Sequence, residues 1–290
     1  MIVDIQKVLA FTNRPNSGNP AGVVLRSPEL SDDQMKEISR RLQVSETAFV
    51  LPSSKADYTV RFFSPTTEVD LCGHATIATF YALGASLSAS FSETVVLHQE
   101  TKVGVLPVDL HFRDGIIDHV MMTQQKAVFE QVQMHRRVLS ETLGTDEQDV
   151  MMDCSSHRVS TGLFTLPVCV SSLDVLKGIK PDGSKIRSLC ESIGVGSLHV
   201  FTFETFDPAS LYHARNFAPI YGVLEDPVTG TANGAVASYL YHRGVFKENL
   251  VMCEQGDIIG RPGRVAIDLS GPLVKVGGKA HIAETVNIEV

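Results

Sequence analysis

The sequence of 290 residues has no tryptophan, and its five cysteines are widely spaced, with no Cys-x-x-Cys pair. An odd number of dispersed cysteines argues against a disulfide framework and against a structural zinc site. No run is rich in Lys and Arg, and the formal net charge is −8, so no nucleic-acid-binding face is predicted. The sequence predicts neither a disulfide-stapled protein nor a nucleic-acid partner.

Long apolar runs are also missing. None approaches the roughly 20 residues of a membrane-spanning helix, so we expect no membrane association. The first apolar stretch contains Asp4 and lacks a charged leading region, which indicates a strand and not a signal peptide. We therefore expect a cytoplasmic protein.

The common cofactor motifs are absent as well. There is no G-x-G-x-x-G after a strand, no G-x-x-x-x-G-K-[ST], no H-E-x-x-H and no G-x-S-x-G. The ten histidines are dispersed, and no lysine stands in a recognisable cofactor context. The sequence gives no reason to expect a nucleotide, a metal or pyridoxal phosphate, and we predict no cofactor.

What the chain has is an ordinary globular composition, with 43% hydrophobic and 20% charged residues. Its length favours two domains. Ser31 and Gln34 form a capping-box pattern before an apolar stripe, which predicts a helix over 31–43. Residues 74–83 are small and apolar on every side, which predicts a helix buried all round. Further helices are predicted over 132–143, ending before Gly144, and over 184–193.

An internal repeat is the most informative feature of the sequence. Arg61-Phe62-Phe63-Ser64-Pro65 recurs 154 residues later as Arg215-Asn216-Phe217-Ala218-Pro219, and Gly73-His74-Ala75 recurs 157 residues later as Gly230-Thr231-Ala232. The second copy therefore holds three extra residues between the two landmarks. Each copy then leads into a helix of small apolar residues, so duplication is favoured over chance similarity.

The repeated helices suggest a chemical use. The first amide groups of a helix have no partners within the helix, and the dipole makes that end positive. Such an end binds carboxylates or stabilises an enolate-like charge. Because the sequence contains two such helix starts, we predict a binding site for an acidic substrate.

Several segments together resemble the PhzF-like (phenazine-biosynthesis) family, and they occur in family order over nearly the whole chain. They are GNPAGVVL (18–25), SETAFVL (45–51), FFSPTTEVDLCGHAT (62–76), FAPIYGVLEDPVTGTANG (217–234) and EQGDIIGRPG (254–263). The resemblance implies an α+β fold of the diaminopimelate-epimerase type. That fold has two pseudo-symmetric lobes, each a curved or barrel-like β-sheet around a central helix, with the site in the cleft between them. We expect one lobe over 1–115 plus 279–290 and the other over 116–278.

The resemblance also assigns roles that the residues alone do not. Taken alone, Glu46 is an ordinary surface carboxylate at a strand start, and His74 is a capping or core histidine. The resemblance implies that Glu46 is the acid/base that carries the proton, and that His74 binds substrate. Asp226, by itself a turn former before a proline, becomes a substrate-contacting carboxylate, and Asn19 in the GNPAG turn becomes a substrate-binding residue.

Glycines at the two helix starts complete the expected site. The resemblance implies that Gly73 and Gly230 supply backbone amides to the substrate, and that Thr231 adds an amide and a hydroxyl. Cys72, before the first helix, is at a position where a thiolate is stabilised. The repeat offset aligns it with Thr229, which cannot act as a thiol base. A two-thiol mechanism is disfavoured on this ground, and Cys72 is expected to be a buried bystander.

The predicted activity is a cofactor-independent isomerisation in which a proton moves within a small carboxylate-bearing metabolite. Two alternatives stay open: an amino-acid epimerase or racemase with Cys72 as one base, and a non-catalytic protein that binds small molecules. Arg261 is a candidate anion-binding or structural residue. The family resemblance further implies a homodimer.

Overall fold

The computed structural model of the protein describes residues 1–27, 30–87 and 93–290. Its strands are β1 (Ile2–Ala10), β2 (Asn19–Val24), β3 (Glu46–Leu51), β4 (Tyr58–Phe63), β5 (Glu68–Val69), β6 (Thr94–Thr101), β7 (Gly104–Arg113), β8 (Ile116–Thr123), β9 (Val128–Gln131), β10 (Val150–Met151), β11 (His157–Ser160), β12 (Phe164–Val170), β13 (Ser197–Thr202), β14 (His213–Ala218), β15 (Val223–Asp226), β16 (Leu250–Gln255), β17 (Gly263–Asp268), β18 (Lys275–Gly278) and β19 (Ala280–Glu289). Its α-helices are α1 (Asp32–Leu42), α2 (Gly73–Ser86), α3 (Arg136–Leu143), α4 (Leu173–Gly178), α5 (Gly183–Ile193) and α6 (Gly230–His242).

The chain forms two compact units. The first comprises Met1–Thr123 and Gly277–Val290, and the second comprises Gln124–Val276. The sequence-based boundary after residue 115 falls in the turn between β7 and β8, where Asp114 and Gly115 have positive φ. Because β8 pairs antiparallel with β7, it stays with the first unit, and the boundary follows it.

The first unit is a curved sheet around α2. Strands β19, β1, β2, β3, β4, β6, β7 and β8 are neighbours in that order, with β2–β3 and β4–β6 parallel and the other pairs antiparallel. Helix α2 contacts β1 and β19 at one end of this order and β7 and β8 at the other. A helix that contacts both ends requires the sheet to curl round it, as in a barrel.

The burial of α2 on every side follows from its composition. Nine of its residues are buried, and small residues such as Ala75, Ala78 and Ala82 let the strands come close. Strands β18 and β8 also lie close to each other, because a Cβ on Gly277 of β18 would lie 1.9 Å from the carbonyl oxygen of Val120 in β8. A side chain at Gly277 would push the two strands apart.

The second unit has its own sheet, in which β9, β11, β12, β13, β14, β16 and β17 are neighbours in order. Helix α6 contacts β11, β12, β13 and β17 and is as deeply buried as α2. Helices α3, α4 and α5 cover a separate core cluster that contains Leu139, Leu176, Ile186 and Leu198. Burying such apolar side chains supplies most of the favourable free energy of folding.

The order of strand directions repeats between the units. Along β2, β3, β4, β6 and β7 the pairs are parallel, antiparallel, parallel and antiparallel, and β12, β13, β14, β16 and β17 repeat that series. Helices α2 and α6 occupy the same place in the two series. The three extra residues of the second copy are accounted for by a 3₁₀ turn at Pro219–Tyr221. The predicted duplication and fold class are confirmed.

Most predicted helices are confirmed. The capping box of Ser31 and Gln34 begins α1. The helix predicted from residue 132 begins four residues later, at Arg136, because 128–131 form β9, and Val132 and Met134 pack on the core in an extended segment. The sequence analysis missed the short helix α4. Within the described ranges, no helix has both the length and the apolar character needed to cross a membrane.

Candidate active site

The start of α2 lies in the first unit and directs its unpaired amides outward from the helix. Cys72 precedes the helix in extended conformation, and its carbonyl accepts hydrogen bonds from the amide and the hydroxyl of Thr76, at 2.9 and 2.8 Å. Gly73 and His74 are the first two helical residues, so their amides belong to the positive end of the helix. This end favours a negative charge on a bound group.

Glu46 and His74 lie together beside this helix start. The distance from His74 Nε2 to Glu46 Oε2 is 3.3 Å, and the side chains are 10% and 22% exposed, respectively. The same ring nitrogen is 3.3 Å from the hydroxyl of Ser45, and Nδ1 on the other side of the ring is 3.4 Å from Cys72 Sγ. A carboxylate and an imidazole in contact, partly shielded from water, are the groups used for proton transfer near neutral pH.

The strand register explains why Glu46 reaches this point. Glu46 is the first residue of β3, whose next four residues are buried and hold the strand in place. In the parallel pairing of β2 with β3, Ala21 is the partner of Glu46, and Asn19 lies two residues earlier on the same face of β2. Asn19 is 1% exposed, so it is a buried strand residue and not a solvated turn.

The start of α6 in the second unit carries a different set of side chains. Thr229 occupies the position before the helix, as Cys72 does in the first unit, with similar backbone angles. Its hydroxyl donates a hydrogen bond of 2.5 Å to Asp226 Oδ2. Asp226 is the last residue of β15, so the strand end and this hydrogen bond together hold the carboxyl group just before the start of α6.

Gln255 is a buried residue that sequence reasoning missed, and it organises this helix start. Its amide nitrogen donates to the carbonyl of Asp226 at 2.8 Å and to the Thr229 hydroxyl at 3.1 Å. Its oxygen accepts from the Thr229 amide at 3.1 Å and from Asn233 Nδ2 at 2.8 Å. These four bonds fix the loop between Asp226 and the helix. The sequence feature that could have identified Gln255 was its place in the EQGD segment. Its hydrogen-bond partners could not be predicted in this way, because they depend on the fold.

Gly230 and Thr231 are the first two residues of α6. The carbonyl of Thr231 accepts a hydrogen bond from Thr161 Oγ1 at 3.3 Å. The methyl of Thr231 lies 3.7 Å from the position that a Cβ would take on Gly162. The side chain of Thr231 therefore packs against the turn that contains Gly162.

Each unit also holds a bidentate Arg–Glu pair that the sequence analysis did not assign. Arg61 binds Glu68 at 2.8 and 3.0 Å, and Arg215 binds Glu225 at 2.9 and 2.8 Å. The Arg61 guanidinium lowers the pKa of Glu68 to about 2. Both pairs link β4 or β14 to the short strand that leads to the central helix. The recurrence of arginine at positions 61 and 215 of the two copies was the sequence feature that could have indicated these pairs.

Behind α6 lies a buried histidine. His199 Nδ1 is 3.2 Å from Asn216 Oδ1, and the residue is fully buried. Burial lowers the pKa of His199 to about 4, although hydrogen bonding to Asn216 and Asn233 acts in the opposite sense. His199 is therefore neutral at pH 7 and supports the core behind the site.

The structure thus assembles the predicted residues in two groups. Glu46 and His74 meet at the start of α2, where Cys72 is buried as expected but contacts the histidine ring. Asp226, Gly230 and Thr231 lie at or just before the start of α6. Arg261 has an exposed side chain, and its amide closes a turn by donating to the carbonyl of Gly256 at 2.9 Å. Their roles toward a substrate stay predictions.

Comparison with known proteins shows the family. Residues 8–285 match the family described as PhzC-PhzF, phenazine biosynthesis-like protein. An uncharacterized isomerase of Bacillus subtilis, YfhB, is 38% identical over 97% of both chains. A trans-2,3-dihydro-3-hydroxyanthranilate isomerase of Pseudomonas aeruginosa is 30% identical over 88% of this chain and 86% of its own length.

Solved structures agree. The phenazine biosynthesis protein of the PhzF family from Bacillus anthracis superposes with a TM-score of 0.90, at 31% identity, over the full length of both chains. A hydroxyproline epimerase from Agrobacterium vitis shares the fold, with a TM-score of 0.61 at 16% identity over 99% of this chain and 91% of its own. This chain is an isomerase-type enzyme and belongs to the phenazine biosynthesis-like (PhzC-PhzF) family.

Proposed function

We propose that the protein catalyses a proton-shift isomerisation of a small carboxylate-bearing metabolite, with Glu46 as the acid/base. The supporting observation is the contact of 3.3 Å between Glu46 and His74 at the start of α2. Glu46 takes a proton from a carbon, the electron pair of that C–H bond enters the conjugated system, and the carboxylic acid returns the proton at another carbon. No atom is gained or lost, so the reaction requires no co-reactant.

His74 and the helix amides hold the substrate in this proposal. The imidazole donates from Nε2 to Glu46 or to a substrate oxygen, and the Gly73 amide faces the negative charge that develops when the proton leaves. Donors fixed in place before the reaction stabilise such a charge more than water does. The proposal assigns Asn19 to substrate binding as well.

The residues at the start of α6 keep, in this proposal, the binding roles that the family resemblance implies for them. Asp226 contacts a polar group of the substrate, while the amides of Gly230 and Thr231 and the Thr231 hydroxyl bind its carboxylate. The hydrogen bonds from Thr229 and Gln255 support this assignment because they fix Asp226 at the start of α6.

A two-base epimerisation is less well supported. Such a mechanism with thiols needs one at each helix start, and the position that matches Cys72 holds Thr229, whose hydroxyl is already bonded to Asp226. A threonine hydroxyl has no accessible anion near neutral pH. One carboxylate that removes and returns the proton fits these residues better.

The test uses trans-2,3-dihydro-3-hydroxyanthranilate, the compound in the name of the Pseudomonas aeruginosa relative, in deuterated buffer. We expect product formation followed by absorbance, with solvent deuterium incorporated by mass. Glu46→Gln should lower kcat by about 10²–10⁴-fold, the usual contribution of a general acid/base. Glu141→Gln, an exposed carboxylate on α3, is the matched control.

Retention of full activity in Glu46→Gln would contradict the assignment of the base. Turnover by neither protein would show that this compound is not the substrate, and other small carboxylates would then be screened by thermal shift. We further propose, from the family, a homodimer, which light scattering on the purified protein would test.

A further inference from the structure

Two clusters in the described part of the chain combine histidine with acidic or thiol groups at metal-binding distances. One is Glu46, Cys72 and His74, and the other is His213, Glu254 and Asp257. In each, one potential ligand atom per residue lies within 4.8 Å of the others. The two clusters differ in what already neutralises them.

The second cluster has its own cation. Arg264 approaches Asp257 at 2.9 Å and Glu254 at 3.4 Å, and the amides of Phe206 and Asp207 donate to Glu254. The guanidinium satisfies both carboxylates, so a metal ion would have to displace it. This cluster is a buried ion-pair network.

In the first cluster, the carboxylate is paired with no arginine or lysine: of the residues that the structure describes, His74 alone forms an ion pair with Glu46. Its ligand atoms are a thiol sulfur, an imidazole nitrogen and a carboxylate oxygen. That mixture suits Zn²⁺, a borderline-soft ion that takes sulfur, nitrogen and oxygen ligands, and does not suit Mg²⁺, which demands oxygen.

The distances support the same conclusion. In a tetrahedral zinc site, bond lengths of about 2.0–2.3 Å place neighbouring ligand atoms about 3.3–3.7 Å apart. Cys72 Sγ is 3.4 Å from His74 Nδ1, which fits a shared ion. Glu46 now contacts Nε2 at 3.3 Å and has to swing toward the ion, which its flexible side chain permits. Nε2 can then donate to Ser45 Oγ, at 3.3 Å, which gives the outer nitrogen of the zinc-bound histidine a hydrogen-bond acceptor.

We propose that Glu46, Cys72 and His74 form a Zn²⁺-binding site whose occupation inhibits the enzyme. The ion is an inhibitor here and not a cofactor, because it engages the carboxylate assigned to proton transfer. Binding converts the Cys72 thiol to a thiolate and releases its proton to solvent, so affinity rises with pH. The binding site follows from the ligand atoms alone, whereas the inhibition also rests on the proposed function.

The test measures binding without any substrate. Full-length protein treated with a chelator and then desalted is titrated with ZnCl₂ in a calorimeter, and we expect one ion per chain. Cys72→Ser should weaken zinc binding by at least about tenfold, because hydroxyl is a poor zinc ligand compared with thiolate. Cys190→Ser, which alters a buried cysteine of the second unit, should bind as the wild type does. MgCl₂ should give no binding.

Co²⁺ provides a second readout. A thiolate-to-cobalt absorption band in wild type that is lost in Cys72→Ser places the sulfur on the metal, and thermal unfolding shows whether each variant is folded. Absence of zinc binding, or equal affinity in Cys72→Ser, would overturn the site. Zinc binding without inhibition would retain the site and reject Glu46 as the base. Each variant is compared with its own metal-free rate.

Discussion

The two central helices start in the same way but carry different chemistry. Cys72 and Thr229 precede α2 and α6 with similar backbone angles, and each helix begins with a glycine. At the first start, a histidine contacts a carboxylate from a neighbouring strand. At the second, a carboxylate is bonded by a threonine and a buried glutamine fixes the loop. The two copies thus share the positive helix end but differ in their side chains: a carboxylate–imidazole contact lies at the first start, and a carboxylate–threonine hydrogen bond at the second.

Removing the arginine of each Arg–Glu pair should give the largest difference in stability between the two units. The side chain of Arg215 is 6% exposed and also donates to the carbonyls of Leu176 and Ile179, whereas that of Arg61 is 27% exposed. Arg215→Ala leaves Glu225, whose side chain is 13% exposed, without its guanidinium partner and should lower the free energy of unfolding by about 3–5 kcal/mol. Arg61→Ala should cost about 1 kcal/mol, because Lys102 lies 2.7 Å from Glu68 and still neutralises that carboxylate.

Urea unfolding of both variants measures the difference, with Arg137→Ala on the exposed face of α3 as the control. Equal losses for Arg61→Ala and Arg215→Ala would show that the two units depend on their pairs alike.

His199 makes the second unit sensitive to acid. Its pKa of about 4 lies below the ordinary value of 6.5, so the unfolded chain binds the extra proton first. Stability is therefore present above pH 6.5 and is lost as the pH falls toward 4, by about 3 kcal/mol from this residue. In His199→Asn, the free energy of unfolding should fall less between pH 7 and pH 4.

Urea unfolding at the two pH values tests this expectation, and His135→Asn, which changes an exposed histidine, is the control. An unchanged pH dependence in His199→Asn would mean that another group carries the acid sensitivity.

Two of the buried glutamines, Gln255 and Gln99, should differ by a smaller amount. Gln255 makes four hydrogen bonds of 2.8–3.1 Å, whereas Gln99 contacts the Thr76 hydroxyl at 3.4–3.5 Å. Gln255→Leu removes the hydrogen bonds that Gln255 makes with the Thr229 amide and the Asp226 carbonyl. It should lower the free energy of unfolding by about 2 kcal/mol. Gln99→Leu should cost less than half of that.

If Asp226 binds substrate, Gln255→Leu should raise KM more than it lowers kcat, while Gln99→Leu leaves KM unchanged. Steady-state kinetics beside urea unfolding separates the two effects. A loss of stability with no change in KM would restrict Gln255 to a structural role.

Removal of the Thr229 hydroxyl should cost less than removal of the Gln255 amide. Thr229→Val removes the hydrogen bond to the Asp226 carboxylate and should cost about 1.5 kcal/mol, whereas Thr229→Ser keeps the hydroxyl and should cost less. Urea unfolding of the two variants compares them. Equal stability of the valine and serine variants would show that the short contact contributes nothing to stability.

Local pattern and repetition were enough to predict much of this molecule. The capping box of Ser31 and Gln34, the all-round apolar helix α2 and the two-copy fold depend on neighbouring residues or on similarity within the chain. The segment at Val132 and Met134 was included in the predicted helix over 132–143, whereas its alternation is that of an extended chain whose side chains pack on the core.

The partners within the candidate site could not be predicted in the same way. Gln255 reaches Asp226 because β16 ends beside the start of α6, a register that no local pattern encodes. Glu46 and His74 were identified by family resemblance, while their separation depends on where β3 begins beside α2. The contact of Cys72 with the ring of His74 likewise depends on how the chain folds at the start of α2 and could not be predicted from the sequence.

Strand β1 pairs with β19 along its whole length, from Ile2 opposite Glu289 to Ala10 opposite Ala280. This pairing sets an order of events during synthesis. A ribosome makes β1 early, but its antiparallel neighbour β19 emerges only after every residue of the second unit. The second unit is one continuous segment, Gln124–Val276, and can close its sheet while the first still waits for its last strand. The half that is translated first is therefore the half that finishes folding last, and until then an edge of β1 stays open to pairing with other chains.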